Sequence, residues 1–198
     1  KGQREQITSS EAHLREVAWQ TEWFPLTAFF PTEMYRGFTT VCEECQRLRS
    51  IGVCVGDSGT GKTLAARMYT QWNIIEPFLE QQDHMLSLEV LKHVSFQAAF
   101  YMVDSYITRK KLENDIACLQ WRMQYLAKVS HQIRQEAGAV SSSGADSLQL
   151  LILDEAQRLP AAALDVVQDM HERFHLGMLL LGPRSLVEHS ALSRHASL

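Results

Sequence analysis

A parallel α/β sheet with helices on both faces is what this chain predicts, on three observations. The apolar run Ile51 to Val55 ends in a glycine-rich turn, Gly56 to Thr63, and then continues as a helix. A second apolar run, Leu148 to Leu153, stops at two carboxylates, Asp154 and Glu155. Around these runs, strand-like and helical stretches alternate, which is the order a parallel sheet needs for its crossovers.

The elements follow in order. Residues 1–23 are polar, and only Ser10 to Trp19 carries helical spacing (Leu14, Val17, Ala18), so they read as an N-terminal arm or partner-docking segment ahead of a core over 24–198. Phe24 to Pro31 is an apolar connector punctuated by prolines. Met34, Phe38, Val41, Cys45 and Leu48 then recur three or four apart, predicting a helix from Thr32 to Arg49. The first strand is 51–55, and the segment from Gln81 to Val94 has no clear period. Phe96 to Asp104 reads as a second buried strand ending in a carboxylate. From Ile107 to Gln135, Leu112, Ile116, Leu119, Met123, Leu126, Val129 and Ile133 predict one long helix or two consecutive ones. Ala137 to Ser147 is a Ser/Gly-rich loop. Leu148 to Leu153, a helix from Ala161 to Phe174, and the short strand Met178 to Leu181 complete the pattern.

Composition bounds the answer. With 198 residues, 45% of them apolar, one substantial core can form. No run approaches 18 apolar residues and no apolar stretch backs the N-terminus, which predicts a cytoplasmic protein with no membrane span. The chain begins at Lys1 and its pattern stops abruptly at Leu198, as expected of a portion of something longer. A net charge of −4 argues against a globally basic nucleic-acid coat, though a local basic stripe can still bind phosphates. Cys42, Cys45, Cys54 and Cys118 are too scattered for a disulfide scaffold. Cys42 and Cys45 have C-x-x-C spacing without a second pair, and read as helix residues. The eight histidines form no metal-binding or triad-like grouping.

The string Gly56-Asp57-Ser58-Gly59-Thr60-Gly61-Lys62-Thr63 satisfies G-x-x-x-x-G-K-[ST] in full. Glycines let successive backbone N–H groups turn toward phosphate oxygens, where a Cβ would obstruct. Lys62 neutralises the β/γ-phosphates, and the Thr63 hydroxyl ligates Mg²⁺. From Leu64 onward the helix adds its N-terminal partial charge. The ligand this predicts is a nucleoside triphosphate with Mg²⁺. In Leu150 to Leu159, LLILDEAQRL, a strand delivers Asp154 to its carboxyl end to share the Mg²⁺ shell with Thr63. Glu155, one residue on, is aimed at the attacking water, as general base or to orient it.

With these two motifs in place, the chain resembles the AAA+ ATPases, and more narrowly the TnsC/TniB/Mu B group of transposition regulators, over roughly residues 24–198. Ala163 to His171 leading into Leu176 to Gly182 is similar to that group's helix and sensor-1 strand. The family's strand ends Gly-Asn or Gly-Thr, whereas here it ends Gly182-Pro183-Arg184, so a polar contact would fall to Arg184 or Ser185. Leu186 to Arg194 resembles the helix of the trans-acting arginine finger, with Arg194 its candidate, and a lid domain is reduced or absent.

The resemblance also implies partners. Thr108, Arg109, Lys110 and Lys111 follow the second strand, where such assemblies grip duplex DNA, and are the DNA-contact candidates. An ordinary solvated helix start is the competing reading. Trp19, Trp23, Phe24, Phe29 and Phe30 could stack on adenine or pack between subunits, with core packing as the alternative. The implied function is an ATPase that oligomerises, as ring or helical filament, on double-stranded target DNA and recruits a TnsB-like transposase and a TniQ-like target selector. A DnaC-like helicase loader or other protein remodeller is the alternative. A metabolite kinase is a third reading, which the Asp154-Glu155 pair disfavours because it makes water the acceptor.

Overall fold

The computed structural model describes residues 32–80, 88–138 and 147–188. The proposed arm, the five aromatics named above and Arg194 lie outside them.

Helix α1 (Glu33–Leu48) starts where Thr32, in an extended conformation, accepts a hydrogen bond from the Tyr35 N–H at 3.2 Å. It buries Phe38, Cys42 and Cys45, while Met34 and Leu48, expected on the same face, are exposed. Strand β1 (Ile51–Val55) leads through the glycine-rich turn into α2 (Lys62–Tyr69) and α3 (Trp72–Glu80). The aperiodic segment contains a 3-10 turn, Leu88–His93, before β2 (Ala98–Met102), which is shorter than the expected strand. A single 28-residue helix, α4 (Arg109–Glu136), then covers the sheet. Its Leu112, Ile116, Leu119, Met123 and Leu126 are buried as their spacing predicts. Strand β3 (Leu150–Asp154), helix α5 (Ala161–Phe174), strand β4 (Gly177–Gly182) and the short α6 (Ser185–Glu188) follow.

Among the described residues the strands form one sheet in the order β1-β4-β3-β2, every pair parallel. The central strands β3 and β4 are buried at every position, which is why their sequences are continuous apolar runs rather than alternations. β1 lies at one end of this order, and there Ile51, Val53 and Val55 retain exposure. Two glycines show that both faces are covered. A Cβ on Gly177 would lie 2.3 Å from the Cys45 carbonyl oxygen of α1, and one on Gly182 would lie 2.8 Å from Gln157 Oε1 and 3.0 Å from Leu186. Five residues apart on one strand, these positions point to opposite faces.

A polar cluster ties the other end of the sheet. Gln46 donates to Gln97 and Gln149 at 3.1 and 3.0 Å, and receives the Tyr69 hydroxyl at 3.1 Å. No helix among the described residues is long and apolar enough to cross a membrane.

Candidate functional site

The glycine-rich loop is shaped by two residues that only glycine tolerates well. Gly59 and Gly61 have φ of 81° and 85°, the left-handed region in which a side chain is strained. Between them and the strand, a short turn is closed by Thr60, whose N–H and hydroxyl both donate to the Asp57 carbonyl. The loop is anchored to the sheet where the Gly56 N–H donates to the Gly182 carbonyl at 3.2 Å, so its start moves with the end of β4.

Lys62 opens α2 and folds back across this loop. Its ammonium donates to the Gly56 carbonyl at 2.7 Å, the Asp57 carbonyl at 2.9 Å and Thr60 Oγ1 at 3.3 Å. These acceptors hold a cation at the centre of the loop, where phosphate oxygens would take over some of its three donors. Ser58 and Leu64 are exposed beside it.

Thr63 and Asp154 meet. The Thr63 hydroxyl donates to Asp154 Oδ2 at 2.5 Å, joining the first turn of α2 to the end of β3. Asp154 is buried, and its other oxygen, Oδ1, accepts the Glu155 N–H at 2.9 Å. Among the described residues no cluster of three or more His, Cys, Asp or Glu side chains could hold a metal ion unaided. A hydroxyl beside one carboxylate suits Mg²⁺, which keeps several waters and takes the rest of its shell from one or two carboxylates and substrate phosphates. The donor set therefore fits a magnesium nucleotide.

Glu155 sits one residue beyond, with φ 57° and ψ 36°, a left-handed conformation uncommon for a side chain of this size. Its carboxylate is held by two neighbours that the sequence reading missed. Gln157 Nε2 donates to Glu155 Oε2 at 2.9 Å, and Arg158 Nη2 pairs with the same oxygen at 3.1 Å. Arg158 also donates to the Val103 carbonyl at 3.1 Å, reaching the strand end that precedes α4. Gln157 Oε1 is buried beside Gly182 without a hydrogen-bond partner among the described residues. The DEAQR string contains both residues, but their grip on Glu155 depends on the 3-10 turn Ala156–Arg158 that bends them back.

After β4 comes Pro183, which offers no N–H. Arg184 Nε lies 3.4 Å from Asp57 Oδ1 across the loop mouth, both side chains largely in water. On the neighbouring strand, burial raises the Cys54 thiol and the Lys62 ammonium opposes that rise.

The four residues proposed for DNA form a capped helix start. Thr108 is the N-cap of α4 and accepts the Lys111 N–H at 3.2 Å. Arg109 pairs with Glu113 at 3.1 Å and Asp169 at 3.4 Å, and Lys111 with Asp104 and, at 3.8 Å, Asp115. These contacts raise both cations' pKa, chiefly through the hydrogen bonds to Glu113 and Asp104 respectively. Lys110 is exposed.

Comparison with known proteins agrees with this geometry. A family model described as an AAA domain matches residues 45–189. A curated relative from Staphylococcus aureus, named a potential ATP-binding protein, is 27% identical over 166 residues, covering 78% of this chain. The chain spans 58% of that relative's length. With Lys62, Thr63, Asp154 and Glu155 gathered at the strand ends and the family match running across all of them, the chain belongs to the AAA domain family.

Proposed function

We propose that this ATP-binding domain hydrolyses ATP to control an assembly on DNA, as a transposition regulator that oligomerises on duplex target DNA and recruits a transposase and a target-selection protein. The ATPase part is carried by one observation, the 2.5 Å contact of Thr63 with Asp154 beside a loop already holding the Lys62 ammonium. Mg²⁺, when bound, supplies charge neutralisation across the phosphates. The chain's own groups do the rest. Lys62 binds and orients the triphosphate. Glu155, once turned away from Arg158 and Gln157, accepts the proton of the attacking water at its carboxylate. The transposition part rests on the likeness of the two motifs and the following helix and strand to that group, together with the basic start of α4.

A second reading, a loader or remodeller acting mainly on protein, is favoured by the pairing of Arg109 and Lys111 with carboxylates, which leaves less positive charge for phosphates. Electron microscopy with ATP and double-stranded DNA separates the two. Rings or filaments on duplex DNA that vanish as ATP is consumed are expected of the regulator. Turnover without duplex-dependent assembly assigns the chain to the second reading, and absence of ATP turnover overturns both.

A further inference from the structure

Helix α4 carries an aromatic pair that no packing among the described residues explains. Trp121 and Tyr125, one turn apart, are 66% and 57% exposed, with rings 6.1 Å apart and only 14° from parallel. Neither the indole N–H nor the phenol hydroxyl finds a hydrogen-bond partner among the described residues. The buried Trp72, by contrast, donates to Glu76 at 3.1 Å. Large exposed aromatics on a soluble helix mark a contact surface.

The surroundings indicate what is contacted. In a chain with more acids than bases, the stretch 116–135 contains no Asp or Glu at all, while it contains Arg122, Lys128, His131 and Arg134. Lys128 falls on the Trp121 and Tyr125 face at helical spacing and is exposed. Arg122 donates to the Leu79 carbonyl at 2.7 Å, an uncharged acceptor, and pairs with no carboxylate among the described residues. No Leu, Ile, Val or Met of α4 is among the exposed large apolar residues, so the aromatics are not the centre of an aliphatic patch as a protein interface core would have. Rings whose neighbours on α4 include cations and amides, on a stretch of that helix without carboxylates, suit a polyanion with planar groups.

We infer that this face of α4 binds single-stranded nucleic acid, with unpaired bases stacking on Trp121 and Tyr125 and backbone phosphates drawn to Lys128 and Arg122. Duplex bases have their faces covered by their neighbours and cannot use these rings, so the site is distinct in chemistry from the duplex contact proposed at Thr108 to Lys111. It is also independent of ATP turnover.

The test is fluorescence anisotropy with labelled oligothymidylate of about 20 nucleotides, the matching oligouridylate, and a duplex of the same length. It uses the wild-type chain and the Lys62→Ala variant, whose failure to bind ATP leaves this site intact. Both single strands should bind more tightly than the duplex in both proteins. A DNA-only or RNA-only response identifies the natural source within the same chemistry. Trp121→Ala and Tyr125→Ala should each weaken single-strand binding about tenfold with an unchanged circular dichroism spectrum, and Trp121→Phe should retain most of it. Lys128→Ala should flatten the dependence of log K on log salt by about 0.7. Wild-type affinity in Trp121→Ala, or no single-strand binding by the parent, overturns the inference. So does a Trp121→Ala variant that sediments as a smaller species while its nucleic-acid binding is unchanged, because the face then joins protein to protein.

Discussion

The Thr63 hydroxyl and the Asp154 carboxylate, separated by 91 positions in the chain, sit 2.5 Å apart because α2 begins where β3 ends. If the site holds the magnesium nucleotide proposed above, that contact makes its metal dependence a property of two elements at once. Asp154→Asn keeps the shape and removes the charge. It should lower magnesium-dependent ATP hydrolysis on the order of a hundredfold and shift the magnesium requirement upward. Turnover measured across a magnesium titration checks this; an unshifted profile removes Asp154 from the metal site.

Lys62→Ala removes the ammonium that the loop carbonyls hold, so ATP binding measured with a fluorescent analogue should be lost. Retained binding at similar affinity would place the triphosphate elsewhere.

Glu155→Gln should leave ATP binding intact while reducing hydrolysis by about 10²- to 10⁴-fold, the range for a missing general base. The nucleotide-bound assemblies should then persist. Normal single-turnover rates in this variant would transfer the base role to another group.

Two glycine substitutions on β4 separate stability from catalysis. Gly177→Ala drives a Cβ into the Cys45 backbone and should destabilise the fold by about 1–3 kcal/mol or more, without changing turnover per folded molecule. Gly182→Ala presses instead on Gln157 Oε1, and Gln157 holds Glu155, so it should change turnover as well as stability. Urea midpoints alongside kcat corrected for the folded fraction distinguish them; equal effects of both on kcat would sever the Gln157 link.

Alkaline pH should weaken the fold in a defined window. Burial, reinforced by Cys42, pushes Tyr69 from its ordinary 10.0 up to about 12. Burial likewise pushes the Cys42 thiol far up. Each group binds its proton more tightly folded than unfolded, so this stability is fully present below the ordinary values and is lost as pH climbs toward 12. Denaturation midpoints from pH 8 to 12 should fall, and Tyr69→Phe should flatten the decline. A maleimide at pH 8 should label exposed Cys118 first and reach Cys42 only on unfolding.

Much of this arrangement is readable in the sequence because it is local. The loop motif, the run ending at Asp154 and the buried spacing of α4 each depend on residues within a few turns of one another. The contacts that hold Glu155 and occupy Arg109 and Lys111 are not readable that way. Glu155 meets Arg158 only because the backbone turns left-handed at φ 57°, and Arg109 meets Asp169 only across 60 positions. Phe38, Cys42 and Cys45 fill the core under α1 while Met34 and Leu48 stay exposed, and it is Cys45 that a side chain at Gly52 or Gly177 would strike, a fit across the chain that periodicity alone does not show.

The uninterrupted span of α4 has a mechanical consequence. At 28 residues it is a rod of about 42 Å. Arg122 pins its middle to the Leu79 carbonyl, and Arg134 pins its far portion to the carbonyls of Lys92 and Val94. Lys111 of its first turn pairs with Asp104, next to Val103, whose carbonyl Arg158 grips while gripping Glu155. A displacement at the start of this rod is therefore passed toward Glu155, the carboxylate proposed to take the proton of the attacking water.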